Sequence, residues 1–398
     1  GTNAVTSSHG TSCASQIGGK WHGLAFECNL WNIRIALTDS GGLLSASTAL
    51  DACTIFHNAK KISQDVADPT LINNSYGGSS STGNESGQTY TIGYRGNTQT
   101  YTGSGAHGTV PANSGGARCH KQFTYYTLGS SATATFSQSG QYITTSPATS
   151  SAAEDAIAAG CIVVASAGNN NQKLSDKDDV DFNNWYGNSS TYINRVGGVQ
   201  KGFSGDHEAG KGTIRVGALD CAVEPDSEKQ GARKYKFRKV CYSSNGPMIN
   251  VWAPGEMTMA AGYGSNENYS RADDSNYYDR WFNGTSAAAP NACSVIALEL
   301  QTNPKATQSD IHKQLKEGYL AITTDELSDP YPNENDAAYW SMTYNATFDE
   351  SEQTECYNVR GDGNLRGAPP RVLNNPYASN LEPSIKGVNI SGISFKQS

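Results

Sequence analysis

The chain has 398 residues, 17% of them charged, and a formal net charge of −8 at pH 7. Lys and Arg together number only 29, so the chain has no basic field of the kind that binds nucleic acid or an anionic membrane, whereas a peptide ligand is compatible with this balance. No apolar run comes near the roughly 18 residues that cross a bilayer, and no charged and then apolar leader opens the sequence. We therefore expect neither a membrane span nor a signal peptide.

The nine cysteines cannot all pair with one another. Four of them fall in apolar helix or strand patterns, where a thiol behaves as a small buried hydrophobic group, and these are predicted to be free. They are Cys13, Cys53, Cys161 and Cys293. Cys221 and Cys241 bracket a charged segment, and for this pair both a disulfide and two free thiols remain open.

The first part of the chain predicts two helices and two strands. His9 to Ser15 (HGTSCAS) is a short helical stretch of small residues headed by a histidine. Leu30 to Leu37 alternates and predicts a strand, and Ser45 to Lys61 has apolar residues at helical spacing. Leu71 to Gly78 predicts a short strand that ends in glycines, which leave an open edge on which an extended peptide can pair.

The middle of the chain predicts a helix followed by a buried strand. Ser151 to Glu154 has a capping-box pattern, and the helix that it opens is expected to end at Gly160. Residues 161–165 are apolar and predict a buried strand, which ends in Ser-Ala-Gly-Asn169. The glycine there permits a sharp turn, so the Asn169 amide is expected to face the space beyond the strand end.

Two more strands and two more helices are predicted in the later part of the chain. The strands are residues 213–220 and 248–253, the second closed by a Pro-Gly pair. Ser286 to Gln301 has apolar residues at helical spacing, so Ser286 lies at a helix N-terminus. Thr307 to Asp310 is a capping pattern for a helix that ends near Glu317.

This alternation of strands and helices predicts an α/β fold, with a doubly wound, mostly parallel sheet and helices on both faces. Reactive groups in such sheets collect at the carboxyl ends of the strands. Asn169 follows a strand end, while His9 and Ser286 each begin a helix that can face the same end. The helix N-terminus favours negative charge beside Ser286, which suits an acyl-transfer nucleophile. Taken one at a time, each of the three residues is more often a helix cap or a turn residue than a catalytic group.

The core predicted from these elements covers residues 1–320 and has three polar insertions, 79–149, 170–212 and 221–241. Residues 321–398 are predicted to form an irregular C-terminal extension packed on that core. Four aspartates crowd into six residues of the second insertion. They are Asp176, Asp178, Asp179 and Asp181. A solvated acidic turn is favoured there over a calcium site, which stays open, because the spacing lacks the glycine and the terminal glutamate of a calcium loop. No other cofactor is expected.

Five motifs occur in one order along the chain: HGTSCAS at 9–15, NNSYGG at 73–78, ASAGN at 165–169, SSNGPMINVWAPG at 243–255 and NGTSAAAP at 283–290. In this order they resemble the subtilisin-like serine proteases, the subtilases. The resemblance implies a serine endopeptidase that forms an acyl-enzyme on Ser286, with His9 as general base. It also implies that the side-chain amide of Asn169 and the backbone N–H of Ser286 make the oxyanion hole.

The resemblance further implies that Ser75, Tyr76 and Gly77 pair with the main chain of an extended peptide substrate. Two positions depart from the family pattern. Ser12 stands where a second histidine is common, and Ala287 stands where a methionine usually follows the nucleophile. Neither position takes part in proton transfer.

The carboxylate of the catalytic triad is missing from its expected place. The family order is Asp, His, Ser, but none of the eight residues before His9 is acidic. Asp39 follows a strand-like pattern but comes after His9, and we predict that it plays no part in the triad. The aspartate could lie upstream of this numbering or on a separate N-terminal fragment, or this homologue could have lost the triad.

Divergent subtilases occur among secreted enzymes and also within virus particles. The alternative to a peptidase is therefore a catalytically weak or inactive structural or interaction protein, such as a part of a virus particle. Free buried thiols fit assembly in a reducing cell better than secretion. The expected location is secreted or virion-associated, and not membrane-spanning.

Overall fold

The structure is a computed structural model of the chain. All structural statements below refer to the residues that it describes. The described residues are 8–35, 45–63, 68–76, 79–81, 89–94, 97–102, 141–143, 147–169, 174, 185–188, 192–195, 212–220, 239–240, 243–256, 258–262, 269–271, 274–323, 365 and 368–377. Within these ranges the chain forms the following helices and strands.

The helices lie close to where the sequence predicts them. α1 spans His9–Gly18, α2 Ala46–Ser63, α3 Pro147–Ala159, α4 Thr285–Thr302 and α5 Gln308–Glu317. None of the helices in the described ranges combines the length and the apolar character needed to cross a membrane.

The strands form one large sheet and three small ones. In chain order they are β1 Leu71–Asn74, β2 Ser79–Ser81, β3 Thr89–Tyr94, β4 Asn97–Thr102, β5 Gln141–Ile143, β6 Ile162–Ser166, β7 Trp185–Asn188, β8 Tyr192–Arg195, β9 Ile214–Asp220, β10 Val251–Glu256, β11 Thr258–Ala261, β12 Tyr269–Arg271, β13 Asp274–Phe282, β14 Ala321–Thr323 and β15 Arg371–Leu373.

The large sheet has the strand order β1, β6, β9, β10, β15, β14. All neighbours from β1 to β15 run parallel, and β14 is antiparallel to β15. Every residue of β6 is buried, as expected for an apolar strand covered on both faces of a parallel sheet. The predicted α/β fold with a mostly parallel sheet is therefore confirmed.

Helices cover both faces of this sheet, as two neighbouring residues of β6 illustrate. Val164 belongs to an apolar cluster that includes Ala292 of α4 and residues of α5. Val163 belongs to a second cluster, which includes Leu50 of α2 and Ala156 of α3. Because side chains of a strand alternate between faces, the two clusters lie on opposite sides of the sheet.

The strand predicted from Leu30 to Leu37 is not formed over residues 30–35, which have no regular structure. Trp31 is 74% exposed, and its ring lies 4.8 Å from the ring of Phe56 in α2. The prediction is wrong there because an alternating pattern makes a strand only where a neighbouring strand accepts its backbone hydrogen bonds. Residues 36 and 37 lie outside the described ranges, as does Asp39.

Two predicted boundaries also move. α3 begins at Pro147, before the capping pattern at Ser151, because proline suits the first turn of a helix. β10 starts at Val251 and continues through Pro254 to Glu256, later than residues 248–253. The helix predicted from Thr307 is confirmed, because α5 has a capping box between Thr307 and Asp310.

The insertions contain sheet structure that joins two of them. β3 and β4 form an antiparallel hairpin in the first insertion, and β7 and β8 form another in the second. β3 also pairs with β7, with Ile92 opposite Tyr186, which gives a four-stranded sheet. The sequence does not predict this pairing between segments far apart in the chain.

The segment after residue 320 adds two strands to the large sheet, where the sequence predicts only irregular chain. β15 lies between β10 and β14, and the indole Nε1 of Trp252 donates to the backbone oxygen of Pro369 at 3.0 Å. The domain boundaries themselves stay a prediction.

Cysteines in the described ranges are free thiols. The four predicted to be free are confirmed, and Cys28 is also free. Cys221 and Cys241 lie outside the described residues, so their pairing stays open.

Candidate active site

Helices α1 and α4 begin at the same end of the large sheet. His9 is the first residue of α1, and Ser286 is the second residue of α4. The helices meet where the thiol of Cys13 donates to the backbone oxygen of Ser286 at 3.6 Å. α4 begins beside the carboxyl end of β6, because the backbone N–H of Gly168 donates to Thr285 Oγ1 at 3.0 Å. The structure thus brings both predicted residues to the carboxyl ends of the parallel strands.

Three polar side chains fix α1 against β11. Ser12 Oγ donates to the backbone oxygen of Ala261 at 2.9 Å, and the backbone N–H of Ala261 donates to Ser15 Oγ at 2.9 Å. Gln16 Nε2 donates to Thr258 Oγ1 at 2.8 Å. Ser12, which departs from the family motif, therefore has a structural role in this chain.

Gly284 sets the entry into α4. Its φ of 109° lies in a region that L side chains rarely adopt, and its backbone N–H donates to the backbone oxygen of Gly255 at 2.7 Å. An added Cβ would come within 2.9 Å of Asn169 Nδ2. A glycine is needed here both for the turn and for the close approach of the Asn169 amide.

Asn169 lies three residues after Ser166, the last residue of β6, and is exposed. Its Oδ1 accepts from the backbone N–H and from the hydroxyl of Thr285, both at 2.8 Å. These two bonds fix the amide plane, with Oδ1 turned toward the helix and Nδ2 left as the free end of the side chain. Asn169 and Ser286 are therefore connected through Thr285.

The hydroxyl of Ser286 donates to the backbone oxygen of Ser75 at 2.9 Å. Ser75 comes directly after β1. Because Ile162 of β6 donates to the oxygen of Thr70, the two-residue alternation of a strand directs the oxygen of Ser75 away from β6. Ser75 thus lies beside the hydroxyl of Ser286, and the half-buried Tyr76 follows it in the chain, while Gly77 lies outside the described ranges. Their pairing with a substrate stays a prediction.

The ring of His9 is open to solvent on one side and packs edge-on against Phe282, with ring centroids 5.3 Å apart. Partial burial, and to a smaller extent the positive charge of Arg280, lower the pKa of His9. Both effects favour the neutral ring, whereas a carboxylate behind it would favour the charged one. The Ser286 hydroxyl makes its hydrogen bond to Ser75 and not to His9 in this structure. The direct bond between His9 and Ser286 stays a prediction.

The described residues contain no group of three or more His, Cys, Asp or Glu side chains that could hold a metal ion. The aspartates considered for calcium, from Asp176 to Asp181, lie outside these residues.

A family model described as the subtilase family matches residues 2–338. The chain belongs to the subtilase family. A search of curated protein sequences gives no match. The family model covers most of the chain. Membership of this family supports a serine peptidase class for the chain.

Two solved structures are similar to this subtilase. A cold adapted subtilisin-like serine proteinase is 18% identical, with 92% of this chain and 74% of that chain covered and a TM-score of 0.41. Fervidolysin from Fervidobacterium pennivorans, described as a keratinolytic enzyme related to subtilisin, is 24% identical, with 45% and 21% covered and a TM-score of 0.30.

Two residues that the sequence analysis did not assign to the site shape it in this subtilase. Thr285 holds the Asn169 amide in place, and Cys13 contacts both His9 and the Ser286 backbone. Cys13 lies four residues after His9, a spacing that puts both side chains on one face of a helix. That spacing is the signal by which the sequence could have indicated Cys13.

Proposed function

We propose that this subtilase is a serine endopeptidase that forms an acyl-enzyme on Ser286 with extended peptides. His9 is the general base, and the Asn169 amide with the Ser286 backbone N–H binds the oxyanion. The proposal rests chiefly on the amide of Asn169, which Thr285 clamps beside the helix end that bears Ser286.

This arrangement suits acyl transfer because its donors are fixed before the reaction begins. Hydrogen-bond donors that need no reorganisation stabilise the charge that develops on the oxygen of the tetrahedral intermediate. The first turn of α4 adds backbone N–H groups and the positive end of its dipole. The pKa of His9 is lowered by burial and by Arg280, which favours the neutral ring that can accept a proton.

The substrate is proposed to bind along Ser75, Tyr76 and Gly77. The backbone oxygen of Ser75 points toward Ser286, so a peptide N–H that pairs with it would bring the neighbouring carbonyl to the nucleophile. Main-chain pairing of this kind binds extended peptides without regard to most side chains. We infer a peptide or protein substrate.

The triad carboxylate is proposed to come from a segment outside this numbering, such as a separate N-terminal fragment. Among the described residues, β1 is an edge strand of the large sheet. The oxygen of Ser75 faces this open edge, away from β6. A parallel strand added there would end near α1. A carboxylate at its carboxyl end would be placed to reach His9 Nδ1.

A diphenyl phosphonate probe tests the enzymatic function. We expect covalent labelling of Ser286, located by mass spectrometry of the digested protein, together with cleavage of a denatured protein substrate. Ser286→Ala is the control and should not be labelled. Absence of both labelling and cleavage in a folded protein would refute the proposal.

Two observations favour the second candidate, a catalytically weak or inactive scaffold such as a virion component. The Ser286 hydroxyl is bonded to Ser75, and Trp21, Phe26 and Trp31 are 61%, 56% and 74% exposed. Exposed aromatic groups are enriched at protein interfaces. A scaffold predicts that the probe leaves Ser286 unlabelled while the protein binds partners.

Replacing Asn169 tests the oxyanion role. Asn169→Leu is expected to lower kcat by about 10²–10³ with a small change in KM, a magnitude known from subtilisin, a member of this family, and taken over from it. Asn169→Asp keeps an acceptor for Thr285 but loses the donor, and should fall at least as far. Asn58→Leu, an exposed change on α2, is the matched control. Normal turnover in both Asn169 variants would remove the amide from the mechanism.

Replacing Arg280 with glutamine is expected to raise the pKa of His9, because it removes a positive charge that disfavours the imidazolium. His9 of the variant would then take up its proton at a higher pH than His9 of the unmodified protein. The acid limb of the kcat/KM profile should therefore shift to higher pH. The profile is measured with an uncharged peptide substrate, and circular dichroism checks folding because Arg280 also donates to Ser8 Oγ. Arg34→Gln is the control. A shift to lower pH would contradict the assignment.

A further inference from the structure

Cys13 lies one helical turn after His9 and touches both predicted catalytic residues. Its Sγ is 3.8 Å from His9 Nδ1, within hydrogen-bond distance for sulfur, and 3.6 Å from the backbone oxygen of Ser286, to which it donates. The side chain is buried in a small apolar cluster with Phe282 and Ala287. The thiol is therefore held between the two helix ends.

The number of protons on the Cys13 sulfur decides which atom donates in its contact with His9. Burial raises the pKa of Cys13 to about 11, against a smaller opposing effect of the Ser75 side chain, so the group is a thiol with one proton near neutral pH. The Ser286 backbone oxygen can only accept, so its 3.6 Å contact with the sulfur is a hydrogen bond only when this proton points to it. Toward His9 the sulfur then presents only lone pairs, and it can act only as an acceptor.

A neutral imidazole has one N–H, on either Nδ1 or Nε2. A sulfur acceptor beside Nδ1 favours the proton on Nδ1, because the other tautomer sets two lone pairs against each other. We propose that Cys13 is a positioning residue that holds His9 in the tautomer protonated on Nδ1, which leaves Nε2 without a proton. This matters for catalysis only on the basis of the proposed function, in which Nε2 accepts the proton of Ser286.

The thiol and a triad carboxylate would act on the same nitrogen in the same sense. Both accept from Nδ1–H and so select one tautomer. They differ in charge, because a carboxylate also stabilises the imidazolium that forms during the reaction, whereas a neutral thiol does not. Cys13 thus sets the state of the base before a carboxylate engages it.

Two-bond ¹H–¹⁵N correlation spectra of the histidine-labelled protein test the tautomer without using activity. His9 is assigned by the signals that vanish in His9→Gln, and spectra are taken at a pH at which the ring is neutral. We expect a protonated Nδ1 and an unprotonated Nε2. Cys13→Ala should give a mixture or the reverse tautomer, whereas Cys13→Ser, whose hydroxyl can donate and accept in the same places, should keep the original one.

Cys161→Ala, which removes a buried thiol from the cluster on the other face of the sheet, is the control and should leave the His9 signals unchanged. A protonated Nε2 in the unmodified protein would overturn the proposal, and so would Cys13→Ala spectra identical to it. If Cys13→Ala does not fold, the tautomer of the unmodified protein and of Cys13→Ser decides.

Kinetics separate this inference from the proposed function. If the two tautomers become equally populated in Cys13→Ala, the competent fraction is halved, so kcat should fall about twofold with KM unchanged. A protein whose Nδ1–H tautomer is lost in Cys13→Ala, but which has no peptidase activity, would uphold the role of Cys13 and refute the peptidase.

Discussion

Replacing Ser286 with alanine is expected to lower kcat by about 2 × 10⁶ if a carboxylate supports His9, and by only about 70 if none does. Both values come from subtilisin, a member of this family, and are taken over from it: removing the serine there costs about 2 × 10⁶, and removing the aspartate alone costs about 3 × 10⁴. The ratio of these two losses, about 70, is the further loss in kcat expected when the serine is removed from an enzyme that already lacks its carboxylate. The size of the loss therefore reports whether the triad is complete.

The measurement is kcat on a peptide amide, with the competent sites of the unmodified protein titrated by the phosphonate and the variants compared at equal concentrations of folded protein. His9→Ala should lose about as much as Ser286→Ala, and the double variant no more than either, because the residues act as a unit. Losses that multiply, or full turnover in Ser286→Ala, would show that cleavage occurs elsewhere.

Sodium formate is expected to raise kcat of the chain as numbered if His9 has no carboxylate partner. A small anion can occupy the place of the missing side chain, accept from Nδ1–H and stabilise the imidazolium. The gain should saturate and stay below the roughly 10⁴-fold contribution of the triad aspartate in serine proteases. Rates in formate are compared with rates in sodium chloride at equal ionic strength.

His9→Ala is the control for this rescue and should not respond to formate. Asp39→Ala should retain the turnover and the response of the unmodified chain, because we predict no triad role for Asp39. A chain with its carboxylate already bound should ignore formate and show the larger Ser286→Ala loss. Indifference to formate together with the smaller loss would contradict the carboxylate proposal.

The sequence predicted best those features that a few neighbouring residues determine. The capping box of Thr307 and Asp310 is local, and so is the turn that places Asn169 at the end of β6. β6 itself was predictable because a run of buried apolar residues has few other places in an α/β fold.

The features that sequence reasoning missed depend on distant partners. Residues 30–35 alternate like a strand, but strand formation needs a neighbour to accept their hydrogen bonds. The pairing of β3 with β7 joins two segments that have no common local pattern. β14 and β15 have three residues each, too few for any periodicity to show. In the site, the hydrogen bond from Ser286 to Ser75 could not be predicted, because the acceptor of a hydroxyl depends on which oxygen atoms the fold brings near it.

The glycine at the entry to α4 sets a limit on attempts to make this protein more heat-resistant. Glycine-to-alanine exchange commonly stabilises proteins by about 0.4–1 kcal/mol where the backbone allows it. Gly10 in α1 is such a position, since an added Cβ would meet no atom of the described residues within 4 Å. At Gly284 the same exchange would strain the backbone and push against Asn169, so melting temperature and turnover should fall together. Of the two motif glycines beside His9 and Ser286, one is open to engineering and the other is not.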